Sequence, residues 1–145
     1  MKISLVPTEA IWQVWNEVEE FIGRAARFSH GRWSAEAVFE ALCAGNLNLW
    51  IAFEDGLPVT GVCVTRVAQY PGRRMLAVDF CGGNALKTWR DDMLQVLEKF
   101  ALNQFCDGLE LTGRRGWEKE LATQGWHTSM VVVEKNLSGN KPDPA

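Results

Sequence analysis

The stretch "LAVDFCGGNALKTW", residues 76–89, holds the residues best suited to chemistry in this chain. Asp79 stands in an apolar run from Met75 to Cys81, where desolvation disfavours the charged carboxylate, raises its pKa and suits it to accept a proton near neutral pH. The bland alternative is an edge or inter-sheet carboxylate satisfied by a neighbouring donor. Three residues on, Gly82-Gly83-Asn84 leads into a helical pattern. At such a junction the unpaired N–H groups and the positive end of the helix can hold a phosphate. The competing reading is a tight corner, with Gly82 and Gly83 making the turn and Asn84 capping the helix. The residues favour the corner, because the two glycines are adjacent and the loop is short.

The remaining polar residues form no second constellation. Glu110 alternates with Leu109 and Leu111, which points it to solvent. His30 falls in a helix-breaking loop and His127 beside the last strand pattern, neither near a Ser, Cys or acidic partner in sequence, so no hydrolase triad or metal site is read. Cys43, Cys63, Cys81 and Cys106 are widely spaced among apolar neighbours with no C-x-x-C pair, as expected of buried thiols in a reducing compartment. "GRR" (72–74) and "GRRG" (113–116) are predicted to be solvated loop arginines, with gripping an anion or an acidic protein surface as the alternative. Seven tryptophans accompany a single tyrosine, Tyr70, which lies in a turn before Pro71. Trp15, Trp50 and Trp89 fall on inward faces. Trp12, Trp33 and Trp117 lie near element starts or off the main stripe; core packing is the default for most of them, and any left exposed and flanked by Arg suits a protein contact.

Bulk properties set the frame. A chain of 145 residues with 47% hydrophobic and 23% charged residues has the composition of one globular domain, expected over 1–137 with a flexible polar tail over 138–145. A net charge of -3 argues against direct binding of nucleic acid. The start, "MKISLVPTEAIWQVW", lacks a signal-peptide core, and no run reaches the roughly 20 apolar residues of a membrane span.

Periodicity supplies the elements that must position Asp79. A strand over 2–6 precedes a helix over 9–26, N-capped by Thr8 and striped by Ile11, Trp15, Val18, Ile22 and Ala25. Ser34 caps a second helix that ends at Gly45. Strands over 47–53, 59–70 and 75–80 are joined by turns and read as an antiparallel meander. Leu86, Trp89, Met93, Val96, Leu97 and Phe100 mark a long amphipathic helix. A strand over 107–113 follows, parallel to the one before the helix, then a short helix stopped by Gly125 and a last strand over 126–135. The order is β-α-α-β-β-β-α-β-α-β, an α/β fold with a mixed, mainly antiparallel sheet flanked by helices.

That order over residues 1–137, together with the ending "GWEKELATQGWHTSMVVVEK", resembles the GNAT family of acyl-CoA N-acyltransferases, and in detail small GNAT-like proteins of phages and prophages. The resemblance implies acetyl-CoA lying between the fourth and fifth strands, with its pyrophosphate at the start of the following helix. Here Gly82, Gly83 and Asn84 occupy that place, without the family's Arg/Gln-x-x-Gly-x-Gly/Ala motif. Lys87 would add charge to a bound phosphate there, although a lysine in the first turns of a helix usually just faces water. The family's proton-donating tyrosine corresponds to Leu121, which has no proton to give, and Asp79 is the candidate base. The departures favour a GNAT-like protein without cofactor or catalysis, acting as a virion structural or assembly component, in the particle or host cytoplasm, through contacts with other virion proteins or itself. The alternatives are a working N-acetyltransferase using acetyl-CoA and a host-directed accessory protein.

Overall fold

The computed structural model describes residues 1–137; the tail predicted over 138–145 lies outside the described residues. Its elements are β1 (Lys2–Val6), α1 (Ile11–Ala26), α2 (Ala35–Cys43), β2 (Asn48–Phe53), β3 (Gly61–Gln69), β4 (Arg74–Gly83), α3 (Leu86–Asn103), β5 (Gly108–Leu111) and α4 (Gly116–Ala122). The five strands form one sheet in sequence order, antiparallel from β1 to β4, with β5 parallel to β4. This is the expected mixed α/β architecture.

Alternation along the strands divides the core into two layers, as period-two side chains require. Leu49, Val62, Val64 and Phe80 face α1 and α2, where they pack with Ile11, Val18, Ile22, Val38 and Leu42. Trp50, Ala52, Cys63, Leu76 and Val78 face α3, meeting Trp89, Met93, Leu97 and Ala101. Buried Thr65 accepts a 2.9 Å hydrogen bond from Trp50 Nε1, so neither polar atom is left unpaired in the α3-side layer.

The β3–β4 ladder contains one irregularity. Val64 pairs with Phe80 and Thr65 with Val78, so Asp79 has no partner on β3. An extra residue of this kind bends the strand and re-aims side chains. It also explains why Val78 and Phe80, two apart, belong to opposite layers.

Four local expectations are corrected. Thr8 is not a helix cap: it begins a short 3-10 turn, Thr8–Ala10, which Pro7 precedes, and α1 starts at Ile11 without a side-chain cap. Gly82 and Gly83 do not form a turn. They are the last residues of β4, paired with Val62 and Gly61. Asn84 does not cap α3 either; the cap position is Ala85, at φ 50°, and Asn84 instead donates its backbone N–H to Thr60 O at 2.8 Å. The glycines serve close approach. A Cβ on Gly82 would stand 3.3 Å from the Phe21 carbonyl oxygen, and on Gly83, at φ 147°, 2.3 Å from Thr60 O. Finally, no strand forms over 126–135. The stretch runs outside regular secondary structure, because its backbone finds no ladder partner among the described residues. Ser34, by contrast, caps α2 as expected, accepting from Ala37 N at 3.1 Å.

Gly83→Ala should lower unfolding free energy by about 2 kcal/mol or more, because the new Cβ meets fixed backbone. Asn84→Ala should stay within about 0.5 kcal/mol, less than the ~1 kcal/mol typical of losing an Asn cap. Urea denaturation of both variants checks the pair.

Candidate functional site

β4 and β5 pair only from Met75–Val78 to Gly108–Leu111, ending with Thr112 N donating to Val78 O at 3.3 Å. Beyond that point β4 runs on through Asp79–Gly83 while β5 has stopped. The strands part where the unpaired residue of β4 sits. The opening is a cleft of about 230 Å³, floored by Asp79, Phe80, Cys81, Gly82 and Gly83 and walled by the end of α1, the start of α3 and the segment from Thr112 to Trp117.

Asp79 is the half-buried acid of this cleft, with 13% of its side chain exposed. Arg66 Nε donates to Asp79 Oδ2 at 2.8 Å. Burial pushes the carboxyl above its usual 3.8, and the Arg66 charge and hydrogen bond pull against that shift without cancelling it. Glu110 adds a smaller upward push. Contrary to the alternation reading, Glu110 is half-buried: it accepts a 3.0 Å hydrogen bond from Tyr70 Oη, which holds the phenol proton above its usual 10. Arg66, Asp79, Tyr70 and Glu110 thus form a linked polar group beside the cleft.

Two arginines border the opening. Arg24 lies over the Phe21 ring, 5.3 Å from its centroid, and Arg114 over Trp117 at 5.6 Å. Stacking leaves the guanidinium edges free to meet an anion. Trp117 is buried with Leu94 and Leu121, in line with core packing as the default for the tryptophans. A second, shallower hollow lies between α3 and α4, lined by Lys87, Arg90, Lys119, Glu120 and Thr123. Arg90 is engaged there by Glu120 and Asp91, leaving the Lys87 and Lys119 ammonium groups as its exposed positive charges.

Of the residues singled out from the sequence, Asp79, Gly82 and Gly83 come together in the cleft, and Asn84 is not part of its lining. Leu121 is buried in apolar contact, so that position supplies no proton donor. The "GRR" arginines are not all solvated: Arg74 Nε donates to Gln104 O at 2.7 Å and its backbone N–H to Asp107 Oδ2 at 2.9 Å, fastening β4 to the turn before β5. Arg24 and Phe28 were missed because they stand at the end of α1, far away in sequence, and only the packing of α1 on β4 brings them to the cleft. Among the described residues no group of three or more His, Cys, Asp or Glu is placed to hold a metal.

Cys63 and Cys81 face each other across β3 and β4, with the Cys63 thiol directed at Cys81 Sγ at 3.1 Å. That hydrogen bond and burial hold the Cys63 proton well above the usual 9.0.

No model of a known protein family matches the sequence, and no curated protein matches it significantly. Solved structures do match in shape. A probable acetyltransferase shares 12% identity at a TM-score of 0.70, covering 97% of this chain and 99% of that one. The ribosomal-protein-alanine N-acetyltransferase from Brucella melitensis biovar Abortus 2308 shares 18% at 0.63, covering 92% and 100%. An aminoglycoside acetyltransferase from an uncultured soil metagenomic sample, solved with trehalose, shares 10% at 0.66, covering 94% and 96%. At such identities the likeness is one of fold. The fold is that of the GNAT acetyltransferases, and in this chain it carries a cleft between its two parallel strands.

Two measurements check the electrostatics. Arg66→Met should move the Asp79 titration further upward, because both Arg66 contributions lower it, and carbon-detected NMR of the carboxyl reads the change. The folded chain holds this proton more tightly than the unfolded one, so the Asp79 contribution to stability falls as pH rises from 3.8 through the raised value. In an alkylation time course read by peptide mass spectrometry, exposed Cys43 should react first and Cys63 last, since the thiolate is the reactive form.

Proposed function

We propose that the protein is an acyl-CoA-dependent N-acyltransferase acting on an amine. The observation that carries this reading is the cleft where parallel β4 and β5 part, with half-buried Asp79 in its floor, in a fold shared with acetyltransferases. The residues present fit acetyl-CoA in kind. Along Asp79–Gly83 the edge of β4 turned to β5 has no strand partner among the described residues, which leaves backbone donors and acceptors for the amides of the pantetheine arm. Arg24 and Arg114 at the cleft, and Lys87 and Lys119 in the neighbouring hollow, supply positive charge for phosphates. When bound, the thioester supplies an activated acyl carbon.

The chain's own chemistry is proton removal. A protonated amine is not a nucleophile, and Asp79, whose carboxyl burial raises while Arg66 pulls against the shift, is the group that would take its proton. Arg66 fixes the carboxylate's orientation. The Tyr70–Glu110 pair beside it adds negative character that suits a cationic acceptor.

The competing reading is a structural component of a phage particle in which acyl transfer has lapsed. Its support is the missing glycine motif, apolar Leu121 and the phage-like sequence resemblance. The shared fold and the open cleft favour the enzyme.

Acetyl-CoA should raise the melting temperature, since a ligand at 100 times its dissociation constant stabilises the native state by about 2.7 kcal/mol. A flat titration at saturating concentration would sink the enzyme reading. With an amine panel and thiol-release detection, Asp79→Asn should lower kcat by about 100-fold while leaving the acetyl-CoA shift intact.

A further inference from the structure

Cys63 and Cys81 stand directly opposite each other on antiparallel β3 and β4, with their sulfurs 3.1 Å apart. The ladder is regular on this side of its one irregularity: Val62 pairs with Gly82 and Gly61 with Gly83 in the same register. Opposed residues of an antiparallel pair have Cα atoms roughly 4.5–5.5 Å apart, inside the roughly 4.4–6.8 Å that a disulfide spans. The backbone therefore already holds the two side chains at a bridging separation. The sulfurs have only about 1 Å to close before reaching the bonded length of about 2.05 Å.

The two thiols differ in access. Cys63 is 1% exposed within the α3-side layer, whereas Cys81 is half-buried and lines the cleft where β4 runs on past β5. Cys63 directs its S–H at Cys81, and that bond together with burial keeps its proton in place. Cys63 is thus the shielded, protonated member, and a small oxidant entering the cleft meets Cys81 first. No other thiol competes for it. Cys43 lies exposed at the end of α2, on the opposite face of the sheet. Cys106 precedes β5 beside the Met75 end of β4, which is about 20 Å along the strand from Cys81.

We propose that Cys63 and Cys81 form a reversible redox pair in the floor of the cleft, in which hydrogen peroxide oxidises Cys81 and Cys63 resolves it as a cross-strand disulfide. In the first step the Cys81 sulfur attacks the O–O bond, keeps one oxygen as a sulfenic acid and releases the other as water. In the second, the Cys63 sulfur attacks the Cys81 sulfur and displaces its hydroxyl, which leaves as water with the Cys63 proton. Two thiols lose two electrons and two protons, one peroxide becomes two waters, and a dithiol reductant reverses the change. Because the resolving sulfur already touches Cys81, the sulfenic acid is consumed before it can be oxidised further to the sulfinic acid.

The full chain, treated with a small excess of hydrogen peroxide, acid-quenched, alkylated with N-ethylmaleimide and mapped by tryptic mass spectrometry, tests this. Trypsin cuts between the two cysteines at Arg66, Arg73 and Arg74, so a bridge joins two otherwise separate peptides. The expected product is a Cys63–Cys81 linked pair, lighter by two hydrogens than the two reduced peptides and separated again by dithiothreitol. Cys63→Ala should leave Cys81 as a sulfenic acid that dimedone traps, whereas the unsubstituted chain gives the linked pair instead. Cys81→Ala alters only the half-buried position, so it tests the pair even where Cys63→Ala fails to fold. There Cys63 should remain alkylatable after unfolding, because its own route to peroxide is closed. Recovery of both cysteines as alkylated thiols after exposed Cys43 has been oxidised overturns the proposal. So does Cys81 recovered as a sulfinic acid or bridged to Cys43 or Cys106, or Cys63 oxidised in the folded Cys81→Ala chain.

Discussion

Two residues of β4, Asp79 and Phe80, stand where β3 offers one, and the layout of the site follows from accommodating that excess. Before it, β4 presents Leu76 and Val78 to α3 and pairs with β5. After it, the phase of the strand has slipped: Phe80 joins the α1-side layer, edge-to-face with Trp33, and Cys81 returns toward α3 opposite Cys63. The slip coincides with the end of the β4–β5 ladder, so the residue without a partner on β3 also lies at the mouth of the opening. A regular strand would have put the residue at this place into the ladder. The irregularity directs a carboxylate toward Arg66 and water.

What keeps the distorted strand in place is packing on both of its faces. α1 comes near enough that a Cβ at position 82 would press on the Phe21 carbonyl, and the Thr60 carbonyl closes on Gly83 from the neighbouring loop. On the other face the Trp89 ring lies against Gly61, where a Cβ would stand 2.2 Å from the ring, and its Nε1 donates to Asn84 O at 2.9 Å. Gly83 is therefore a requirement of close packing, with Gly82 closely fitted beside it, at the junction between β4 and α3.

These contacts set how far the sequence could be read. The stripe of α1, the long amphipathic α3, the Ser34 cap and the meander were legible because each rests on spacing within a few residues. Asp79 was legible as an acid in an apolar run. Its unpaired position was not, since a one-residue excess shows only when β3 and β4 are laid side by side. The Gly-Gly-Asn corner misled for the same reason: adjacent glycines signal a turn locally, and their need for close approach lies in Phe21 and Thr60, distant in sequence. Over 126–135 the local β-propensity is real, but a strand also needs a partner, which propensity does not supply.

The burial of Leu121 bears on whether such a site can still do chemistry, and ordinary acidities weigh the two proton movements of acyl transfer unequally. A thiol has a pKa near 8.5, so a thiolate is a tolerable leaving group close to neutral pH. An alkylammonium, near 10.4, holds almost all of its protons there and cannot attack until one is removed. The base is thus the more demanding requirement, and the cleft holds a candidate for it in Asp79, whose carboxyl burial raises while Arg66 pulls against the shift. At position 121 a hydroxyl would have to be desolvated against Leu94 and Trp117; leucine there seals α4 onto α3 and supports the wall of the cleft. For the proposed acyl transfer, leucine at this position would forgo the lesser of the two requirements, and the greater one would fall to Asp79.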